Sequence, residues 1–523
     1  MAKMPLIDPF CLSREGWQQW QERCLKILNE LIPKKLVYSD DRALDIEITA
    51  ITGWEQNSSN LKKQKLKASV KLSDRSTEKT IELPFDLPFR RTNWGSFYIN
   101  NVEYVVIPQL GFKEGIHLID QANRVVSSDE TKEGSKSPDD DIFNPIEDEA
   151  NDRNIWLILK HGRKITLYKE IKKKGVVNYV RFGGRSFKWE SGEVSDNSIF
   201  DSNGNFNAQA AKAWQRFLGH HYKQLEPSIE KTTRTLWDTD DFICPEGYKK
   251  THNEFSAELL DYLFTKAWDL PASRKTNLQQ RKLYLMGELL DNFIRNPLVL
   301  ENLRIKLDEK WQREKKTIWN IFSDMSTEND GPRLFTYLTA VIRDFFTGND
   351  SSNFVQLSNR TNPLAFLSQL RSITQKDGFY IRDENRNVHL RNIDESFKGL
   401  ICPVMTPEGI STGLNLHLAV YASVDTNGQL GICYTNDSEK PEFLPVQSES
   451  SFKWDSINNQ WIVRSDKNSD EYVFPANAVF SLETNLIPAL MHNDATRALM
   501  GCKYHVQAVP LCKPETPHFL SGF

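Results

Sequence analysis

One acidic run resembles a cluster of metal-binding carboxylates. Asp238-Thr239-Asp240-Asp241 could supply carboxylates to magnesium, but no second carboxylate set lies nearby in sequence. A solvated loop is therefore the preferred interpretation of the run, since its spacing specifies no metal. His220-His221 fit a contact with a helix C-terminus better than a metal site, because no third ligand is apparent. Lys172-Lys173-Lys174 fit a solvated strand end or a phosphate contact.

The elements around these residues follow from hydrophobic periodicity, which predicts a multidomain α+β chain with β-rich modules and a helical middle. Helices are predicted over 14–31, 207–218, 255–268, 283–308 and 333–346. Strands are predicted from the first helix to about residue 120, over 155–190 and from 418 onward. Tight turns are expected at Asn100-Asn101, Asn427-Gly428 and Asn458-Asn459, because these residues tolerate positive φ. The acidic segment 127–153 is predicted to be an exposed linker.

The overall composition is that of an ordinary globular chain. The 523 residues are 39% hydrophobic and 26% charged, with a net charge of −4, whereas independent nucleic-acid binders are usually basic. A subunit of a larger complex could still use local basic faces. The seven cysteines are scattered without a Cys-x-x-Cys pair, which favours an intracellular chain without structural zinc. Neither a signal peptide nor a membrane span is expected.

Five longer stretches carry the most specific signal. They are GSFYINNVEYVVIPQLGFKEGIH (95–117), RKLYLMGELLDNFI (281–294), NFVQLSNRTNPLAFLSQLRSIT (353–374), GLICPVMTPEGISTGLNLHLAVY (399–421) and IPALMHNDATRALMGCKYHVQAVP (487–510). In this order they resemble the N-terminal half of the β subunit of bacterial-type multisubunit DNA-directed RNA polymerase. Cys402-Pro403 with Thr406-Pro407-Glu408-Gly409 reproduces one family signature. The resemblance spans nearly the whole chain and is weakest between about 120 and 275.

The resemblance implies a division into named domains. The protrusion takes 1–115 and 275–352, the lobe 116–274, the fork 353–420 and an external domain 421–485. Residues 486–523 begin a hybrid-binding barrel region that another chain completes. The implied role is to shape the channel for downstream DNA and the RNA–DNA hybrid. The implied partners are a C-terminal β-like chain, a β′-like chain, DNA template, nascent RNA, nucleoside triphosphates and a promoter-specificity factor.

Arg497 and Gln507 are the residues that the resemblance places nearest the chemistry. Arg497 matches an arginine that approaches the phosphates of the incoming nucleotide, a task that suits a planar cation of permanent charge. Without the resemblance, an ion pair with Asp494 is the simpler interpretation. Gln507 matches a residue near the growing RNA end. Its alternative interpretation is a buried amide that satisfies backbone groups.

Four fork residues complete the predicted site near nucleic acid, namely Gln356, Arg371, Pro407 and Glu408. Pro407 and Glu408 fit a rigid turn, although a proline followed by glycine marks turns in any protein. The family binds rifampicin in this region, beside the RNA path. Against its usual residues, this chain has substitutions at four positions: Asn359 for Asp, Gln369 for His, Ser372 for Arg and Thr374 for Ser.

Departures from the family pattern limit what the chain is expected to do. It has no Asp-x-Asp-x-Asp run, so Mg2+ is expected on a partner subunit and the chain is expected to be inactive alone. Met405 and Met491 stand where glutamate is usual. The position of the last residue, Phe523, suggests a β subunit split between two polypeptides, as in giant bacteriophages, or a truncation. A phage protein would act in the host cytoplasm or the virion.

Three functions remain open from the sequence. The first is a subunit of an active RNA polymerase, which the presence of Arg497 and Gln507 favours. The second is a catalytically inactive structural or regulatory homologue of the polymerase. The third is an unrelated nucleic-acid-binding scaffold, which five motifs in collinear order disfavour.

Overall fold

The computed structural model divides the chain into two compact units. The first unit comprises Met1–Gly111, Arg281–Asn387 and Ile393–Phe523, and the second comprises Phe112–Gln280 and Val388–Asn392. The described residues are 14–38, 43–52, 65–74, 77–87, 90–92, 94–120, 153–159, 164–172, 175–190, 198–201, 204–218, 254–268, 270, 276–294, 297–323, 332–347, 354–375, 388–435, 441–445, 452–464 and 471–513. Helices and several separate sheets confirm the predicted α+β class.

The α-helices of the described residues concentrate in the middle and at the end of the chain. They are α1 (Arg14–Leu31), α2 (Ala208–Leu218), α3 (Ala257–Tyr262), α4 (Met286–Ile294), α5 (Pro297–Arg313), α6 (Lys315–Phe322), α7 (Thr336–Thr347), α8 (Pro363–Leu370), α9 (Leu482–Asn485) and α10 (Ala495–Gln507). A π-helical turn, Leu263–Ala267, continues α3. Short 3₁₀ turns cover Leu278–Gln280, Val388–Arg391, Glu395–Phe397, Ala476–Val479 and Leu490–His492.

The strands of the described residues form six small sheets. In chain order they are β1 (Lys35–Val37), β2 (Ala43–Thr52), β3 (Lys65–Ser73), β4 (Glu78–Asp86), β5 (Arg90–Arg91), β6 (Phe97–Ile99), β7 (Val102–Val106), β8 (Gln109–Phe112), β9 (Gly115–Asp120), β10 (Arg153–Ile158), β11 (Lys164–Lys172), β12 (Gly175–Phe182), β13 (Arg185–Trp189), β14 (Arg281–Tyr284), β15 (Val355–Leu357), β16 (Ser372–Thr374), β17 (Asn415–His417), β18 (Ala422–Val424), β19 (Leu430–Thr435), β20 (Pro441–Pro445), β21 (Phe452–Asp455), β22 (Gln460–Arg464) and β23 (Glu471–Pro475).

The largest core of the first unit lies where helices pack against the antiparallel sheet β1-β2-β3-β4. The apolar positions of α1 recur at helical spacing, and Cys24, Leu28 and Leu31 are buried as the sequence predicts. Trp311 of α5 is fully buried and meets the ring of Phe335 edge-on. These contacts confirm the predicted helix over 14–31 and fix the sheet against the helical middle.

Two further sheets of the first unit join distant motif stretches. The sheet β15-β7-β6-β5 pairs Gln356 of β15 with Val105 of β7. The turn between β6 and β7 has Asn100 at φ 48° and Asn101 at φ 67°, which confirms the predicted tight hairpin. The sheet β14-β8-β16-β17 places Thr374 of β16 beside Gln109 of β8 in parallel. Strand pairing thereby connects the fork stretch to the stretch around residues 95–112.

Two three-stranded antiparallel sheets, β18-β19-β20 and β21-β22-β23, follow the fork. The hairpin turns predicted for this part are both present, at Asn427-Gly428 between β18 and β19 and at Asn458-Asn459 between β21 and β22. Gly428 has φ 81° and Asn459 has φ 51°, which explains the residue types.

The second unit is a five-stranded antiparallel sheet, β13-β12-β11-β10-β9, covered on one face by helices. Aromatic side chains fill the space between them, and Trp214 of α2 stacks on Phe255 with ring centroids 4.9 Å apart. Such pairs contribute beyond the apolar area that they bury. Alternation of core and outward residues along β10 to β13 is the pattern expected of a sheet with one buried face.

The structure corrects the prediction of one helix over 283–308. Leu283 lies in β14, and two helices follow, α4 and α5. Pro297 begins α5, where its missing N–H removes no helical hydrogen bond. The described residues of 486–513 form helices and turns without a strand, which corrects the prediction of strands from 418 onward for this segment. Several sequence predictions lie outside the described residues: the acidic run 238–241, His220-His221, Lys173-Lys174 and nearly all of the linker 127–153.

Among the described helices none is long and apolar enough to cross a membrane.

We expect Gly428→Ala to weaken the contact between the β18–β19 turn and β14. The Gly428 carbonyl accepts a hydrogen bond of 2.7 Å from the Leu283 N–H, and an added Cβ would lie 1.9 Å from the Leu283 carbonyl oxygen. Positive φ alone costs an alanine about 1–2 kcal/mol. Hydrogen exchange should accelerate in 281–284 and 422–435. Gly184→Ala, with φ +78° but open space around it, is the control for the backbone effect. An equal increase in hydrogen exchange around Gly428 in one variant and around Gly184 in the other would contradict the steric argument.

Candidate functional site

Helix α10 carries the last motif stretch, and its beginning is set by a side-chain cap. Asp494 is extended at the N-cap, and its carboxylate accepts a hydrogen bond of 2.7 Å from the Arg497 N–H. This satisfies one of the free donors of the first helical turn. Gly501 faces Ile487, where an added Cβ would lie 3.1 Å from the Ile487 Cδ1. A larger residue at 501 would therefore require the Ile487 side chain to move by a few tenths of an ångström.

One threonine links α10 to the start of the fork loop 402–415. The hydroxyl of Thr484 lies 3.3 Å from the Sγ of Cys402 and 3.2 Å from the Sγ of Cys502. All three side chains are buried, and burial raises the pKa of the Cys502 thiol to about 11. The Cys502 thiol therefore stays protonated near neutral pH and acts as a weak hydrogen-bonding group within the core.

An apolar cluster beside this link explains one departure from the family. Met405 and Val404 of the fork loop pack against Ile487, Ala498 and Cys502. A thioether suits these surroundings better than the usual carboxylate, which would have to be desolvated. The other substituted position, Met491, is 90% exposed.

Two threonines hold the fork loop in its shape. Thr406 Oγ1 donates to the Asn415 carbonyl at 2.8 Å and accepts from the Gly413 N–H at 2.8 Å. Thr412 Oγ1 lies 2.8 Å from the Pro407 carbonyl oxygen and 2.7 Å from that of Gly409. The loop is thus a closed turn, as the sequence predicts for Pro407, and it leaves Glu408 exposed.

Glu408 connects the fork loop to α10 by charge. Its Oε2 lies 3.3 Å from Lys503 Nζ, and both side chains are more than two fifths exposed. An exposed pair of this kind contributes at most about 1 kcal/mol. It can therefore open easily when a charged ligand competes for either partner.

Arg371 is placed differently from the expectation of a residue that contacts nucleic acid. Its side chain is 3% exposed, and Nη2 donates to the carbonyls of Ala419, Val420 and Ala422. Burial lowers the pKa of Arg371 to about 10, which still leaves it charged at neutral pH. The guanidinium is engaged inside the first unit rather than presented on its surface, so a direct contact with nucleic acid is not available in this conformation.

Residues missed by the sequence analysis complete the surroundings of Arg371. Glu483 and His417 are buried beside it, and the hydroxyl of Ser368 lies 3.4 Å from His417 Nδ1. Burial lowers the pKa of His417. Burial alone would raise the pKa of Glu483, but His417 and Ser368 hold it below its ordinary value. Only tertiary packing brings these side chains together, so no spacing in the sequence signals them.

The polar groups of the segment 356–374 bind one another. Gln369 Oε1 accepts from the Asn359 N–H at 2.8 Å, and its Nε2 donates to the Leu357 carbonyl at 2.8 Å. The same Nε2 lies 3.3 Å from Gln356 Oε1. Gln356 itself is exposed in the middle of β15. Polar groups of the predicted drug pocket are therefore already satisfied within the chain.

Arg360 is fixed next to these residues by two partners. It binds Glu103 with two hydrogen bonds, Nε to Oε2 at 2.8 Å and Nη2 to Oε1 at 2.5 Å. Its guanidinium also lies 3.7 Å from the centre of the Phe366 ring, a cation–π contact. The planar fork of arginine makes both contacts possible at once.

Arg497 and Gln507 are both exposed on α10. Among the described residues no carboxylate forms an ion pair with Arg497, because the Asp494 carboxylate caps the backbone instead. The Arg497 guanidinium lies 3.2 Å from the Met500 Sδ. Gln507 is likewise not the buried amide of its alternative interpretation. The two residues are ten positions apart, which is about 15 Å along a helix.

The predicted site residues therefore fall into two groups. The first group lies on α10 and on the fork loop that packs against it, and it comprises Arg497, Gln507, Pro407 and Glu408. The second group lies outside these two elements, with Gln356 on β15 and Arg371 buried. In the part of the chain that the structure describes, no group of three or more His, Cys, Asp or Glu side chains could hold a metal ion.

Comparison with known families gives a match in the fork region. Residues 356–424 match the family model of RNA polymerase Rpb2, domain 3. The matched region contains Gln356, Arg371, Pro407 and Glu408, whereas Arg497 and Gln507 lie outside it. The fork loop and α8 therefore lie within the part of the chain that is similar to this RNA polymerase domain.

Similarity to particular proteins extends beyond that module. The chain is 26% identical to the DNA-directed RNA polymerase subunit beta of Rhodomonas salina over 84% of its own length and 42% of that protein. It is 26% identical to the same subunit of Guillardia theta over 83% of its length and 42% of that protein. With the Thermus aquaticus subunit it shares 33% identity over 35% of its length and 18% of that protein. The chain is homologous to these β subunits, and it spans about two fifths of the length of the first two.

We expect Arg371→Met to destabilise the fork strongly. The substitution removes the guanidinium donor from the carbonyls of Ala419 and Ala422, of which Ala419 also accepts from the Ala422 N–H, and it takes a positive charge away from the surroundings of the buried Glu483. A buried carbonyl left without a donor costs about 1–3 kcal/mol. Hydrogen exchange of 363–374 and 415–424 should rise sharply, and the yield of soluble protein should fall. Arg313→Met, which removes an exposed pair with Glu309, is the matched control and should change little. Similar hydrogen exchange of 363–374 and 415–424 in both variants would show that the charge of Arg371 does not stabilise the fork.

Proposed function

We propose that this chain is the N-terminal β-like part of a multisubunit DNA-dependent RNA polymerase. In this proposal it shapes the channel for downstream DNA and the RNA–DNA hybrid, and Arg497 contacts the phosphates of the incoming nucleotide. The observation that carries the proposal is the exposed Arg497 on a capped helix, packed against a fork loop homologous to that of RNA polymerases.

The electrostatics of Arg497 support a role towards an anion. The residue lies in the first turn of α10, where the positive end of the helix dipole disfavours a cation and favours a negative ligand. Among the described residues no carboxylate pairs with its guanidinium. A triphosphate oxygen could therefore bind without first displacing an internal ion pair, and a planar guanidinium can hold two such oxygens.

The domain scheme implied by the resemblance is part of the proposal. The chain leaves the first unit at Gly111 and returns at Arg281, as expected for a lobe inserted into a protrusion. Residues 353–420 would form the fork. Residues 421–485 would form the external domain, and 486–523 the start of the region that closes around the hybrid.

The proposed activity requires partners. Two metal ions hold the attacking and leaving oxygens in nucleotidyl transfer, and the proposed source of Mg2+ ligands is a β′-like chain with an Asp triad. Further β-like sequence would complete the barrel. DNA template, nascent RNA, nucleoside triphosphates and a promoter-specificity factor are the remaining proposed partners. The isolated chain would make no RNA.

Purification of the tagged chain with its natural partners tests the proposal. Mass spectrometry should identify a chain with the Asp triad and further β-like sequence, and the assembly should synthesise RNA from a DNA template with magnesium. An assembly with these partners that makes no RNA would favour the alternative, a catalytically inactive structural or regulatory homologue. Robust templated synthesis by the rigorously pure chain would contradict its dependence on partners.

Arg497→Ala should leave assembly intact and strongly lower the rate of nucleotide addition. Removal of one charge-assisted hydrogen bond from the transition state costs about 2–4 kcal/mol, which is roughly a hundredfold or more in rate. Single-nucleotide extension of a preassembled RNA–DNA scaffold, measured over a range of nucleotide concentrations, checks it. Arg313→Ala removes an exposed arginine from α5 and serves as the control. Near-wild-type extension at low nucleotide concentration would remove Arg497 from the proposed site.

The assembled enzyme should transcribe at rifampicin concentrations that stop a bacterial polymerase. Asn359, Gln369, Ser372 and Thr374 replace the usual residues, and Gln369 is already hydrogen-bonded to its neighbours. Each polar interaction that these substitutions remove without replacement costs the drug about 1–3 kcal/mol of binding free energy, although such costs are not strictly additive. Transcription by both enzymes on their own promoters, side by side over a range of drug concentrations, is the measurement. Equal inhibition would contradict this interpretation of the pocket.

A further inference from the structure

The side chain of Asn362 joins the beginning of α8 to the end of α10. Its Oδ1 accepts a hydrogen bond of 2.6 Å from the Ala365 N–H, which caps α8. Its Nδ2 lies 3.1 Å from the His505 carbonyl oxygen, 3.1 Å from that of Val506 and 2.6 Å from that of Ala508. One amide thus satisfies a free donor of one helix and free acceptors of another.

The chemistry of the two helix ends determines the orientation of this amide. The N-terminus of α8 presents N–H groups, so it needs the carbonyl oxygen of the side chain. The C-terminus of α10 presents carbonyl oxygens, so it needs the NH2 group. Of the common N-cap residues, aspartate supplies only the first function at neutral pH, and serine and threonine carry their single O–H donor on a shorter side chain. Asparagine is therefore suited to both contacts.

The end of α10 makes the second contact important. The helix ends at Ala508 in an extended conformation and is followed by Val509 and Pro510. Neither residue can act as the glycine that closes many helices in the left-handed conformation. The two carbonyls nearest in sequence to Gln507 are those of Val506 and Ala508, and both accept from Asn362.

We propose that Asn362 is a positioning residue that holds Gln507 in place for nucleotide addition. The inference rests on the proposed function, in which Gln507 lies near the end of the growing RNA. Asn362 acts through the backbone that flanks Gln507 and does not touch substrate. Its replacement would shift the last turn of α10 while leaving the first turn, with Arg497, capped by Asp494.

Two substitutions separate the two contacts of Asn362. Asn362→Asp and Asn362→Ser both keep an oxygen that can cap α8 and both remove the NH2 group. The aspartate also places a negative charge against carbonyl oxygens, whereas the serine is neutral and too short to reach α10. Asn207→Asp is the matched control, because Asn207 Oδ1 accepts from the Ala208 N–H at the start of α2 in the second unit.

Hydrogen exchange of the full chain tests the structural step without the partners. We expect both Asn362 variants to accelerate exchange in 502–511 while exchange in 363–370 and in the rest of the chain stays at the wild-type rate. Asn207→Asp should leave 502–511 unchanged. Unchanged exchange in 502–511 in both Asn362 variants would overturn the inference at this step.

Single-nucleotide extension by the assembled enzyme tests the functional step. A shift of about 1 Å at a reacting centre reduces rates by as much as a hundredfold. We therefore expect the Asn362 variants to lower kcat by about tenfold to a hundredfold with little change in KM for the nucleotide. Arg497→Ala should lower kcat/KM through the phosphate contact instead.

Double variants decide whether Asn362 acts through Gln507. In a Gln507→Ala background, Asn362→Asp should cause little further loss of rate, whereas in an Arg497→Ala background its effect should be multiplicative. Multiplicative effects with Gln507→Ala, or wild-type kcat in both Asn362 variants, would overturn the inference and leave the proposed function intact. Wild-type extension by Gln507→Ala would overturn the inference as well. Wild-type extension by both Gln507→Ala and Arg497→Ala would remove the proposed site itself.

Discussion

The buried charge of Arg371 is the interaction on which the arrangement of the fork depends. Its guanidinium donates to carbonyls of the turn between β17 and β18, and its own carbonyl accepts from the Leu418 N–H at 3.1 Å. A charge in this position is tolerated only because those carbonyls and the Glu483 carboxylate replace water. The same turn binds the segment before α9, since the Val420 N–H donates to the Phe480 carbonyl at 2.9 Å. Helix α8, the β17–β18 turn and α9 therefore share one electrostatic centre.

Around that centre, hydrogen bonds of side chains place α10. Asp494 caps its first turn, the Thr484 hydroxyl meets Cys502 in its middle, and the Asn362 amide meets its end. Hydrogen bonds of this kind are directional, so they define the rotation and the axial position of the helix more closely than apolar contacts do. The outward face of α10 remains exposed, with Tyr504 64% accessible. A fixed helix with an exposed polar and aromatic face suits the proposed role in a larger assembly.

Local features were predictable from the sequence because they depend on neighbours along the chain. The helix over 14–31 and the three asparagine-containing hairpins follow from periodicity and from the need for positive φ. The α+β class follows from the same patterns. The site was predictable only through motifs: Pro407 and Glu408 lie in a turn as expected. The family match covers residues 356–424 and supports the fork, but it gives no information on Arg497.

What could not be predicted depends on tertiary packing. A fork arginine looks like any surface cation in the sequence, and only the fold shows that Arg371 is buried while Arg360 binds Glu103. Asp494, three residues before Arg497, suggested an ion pair, whereas that spacing equally allows an N-cap, which the structure shows.

The hydrogen bonds of Gln369 to Asn359 and Leu357 have an evolutionary consequence. Both bonds go to backbone groups, so substitutions at 357 or 359 can accumulate without breaking them, whereas a change at Gln369 removes both at once. Variation in this segment is therefore expected at 357 and 359 before it is expected at 369.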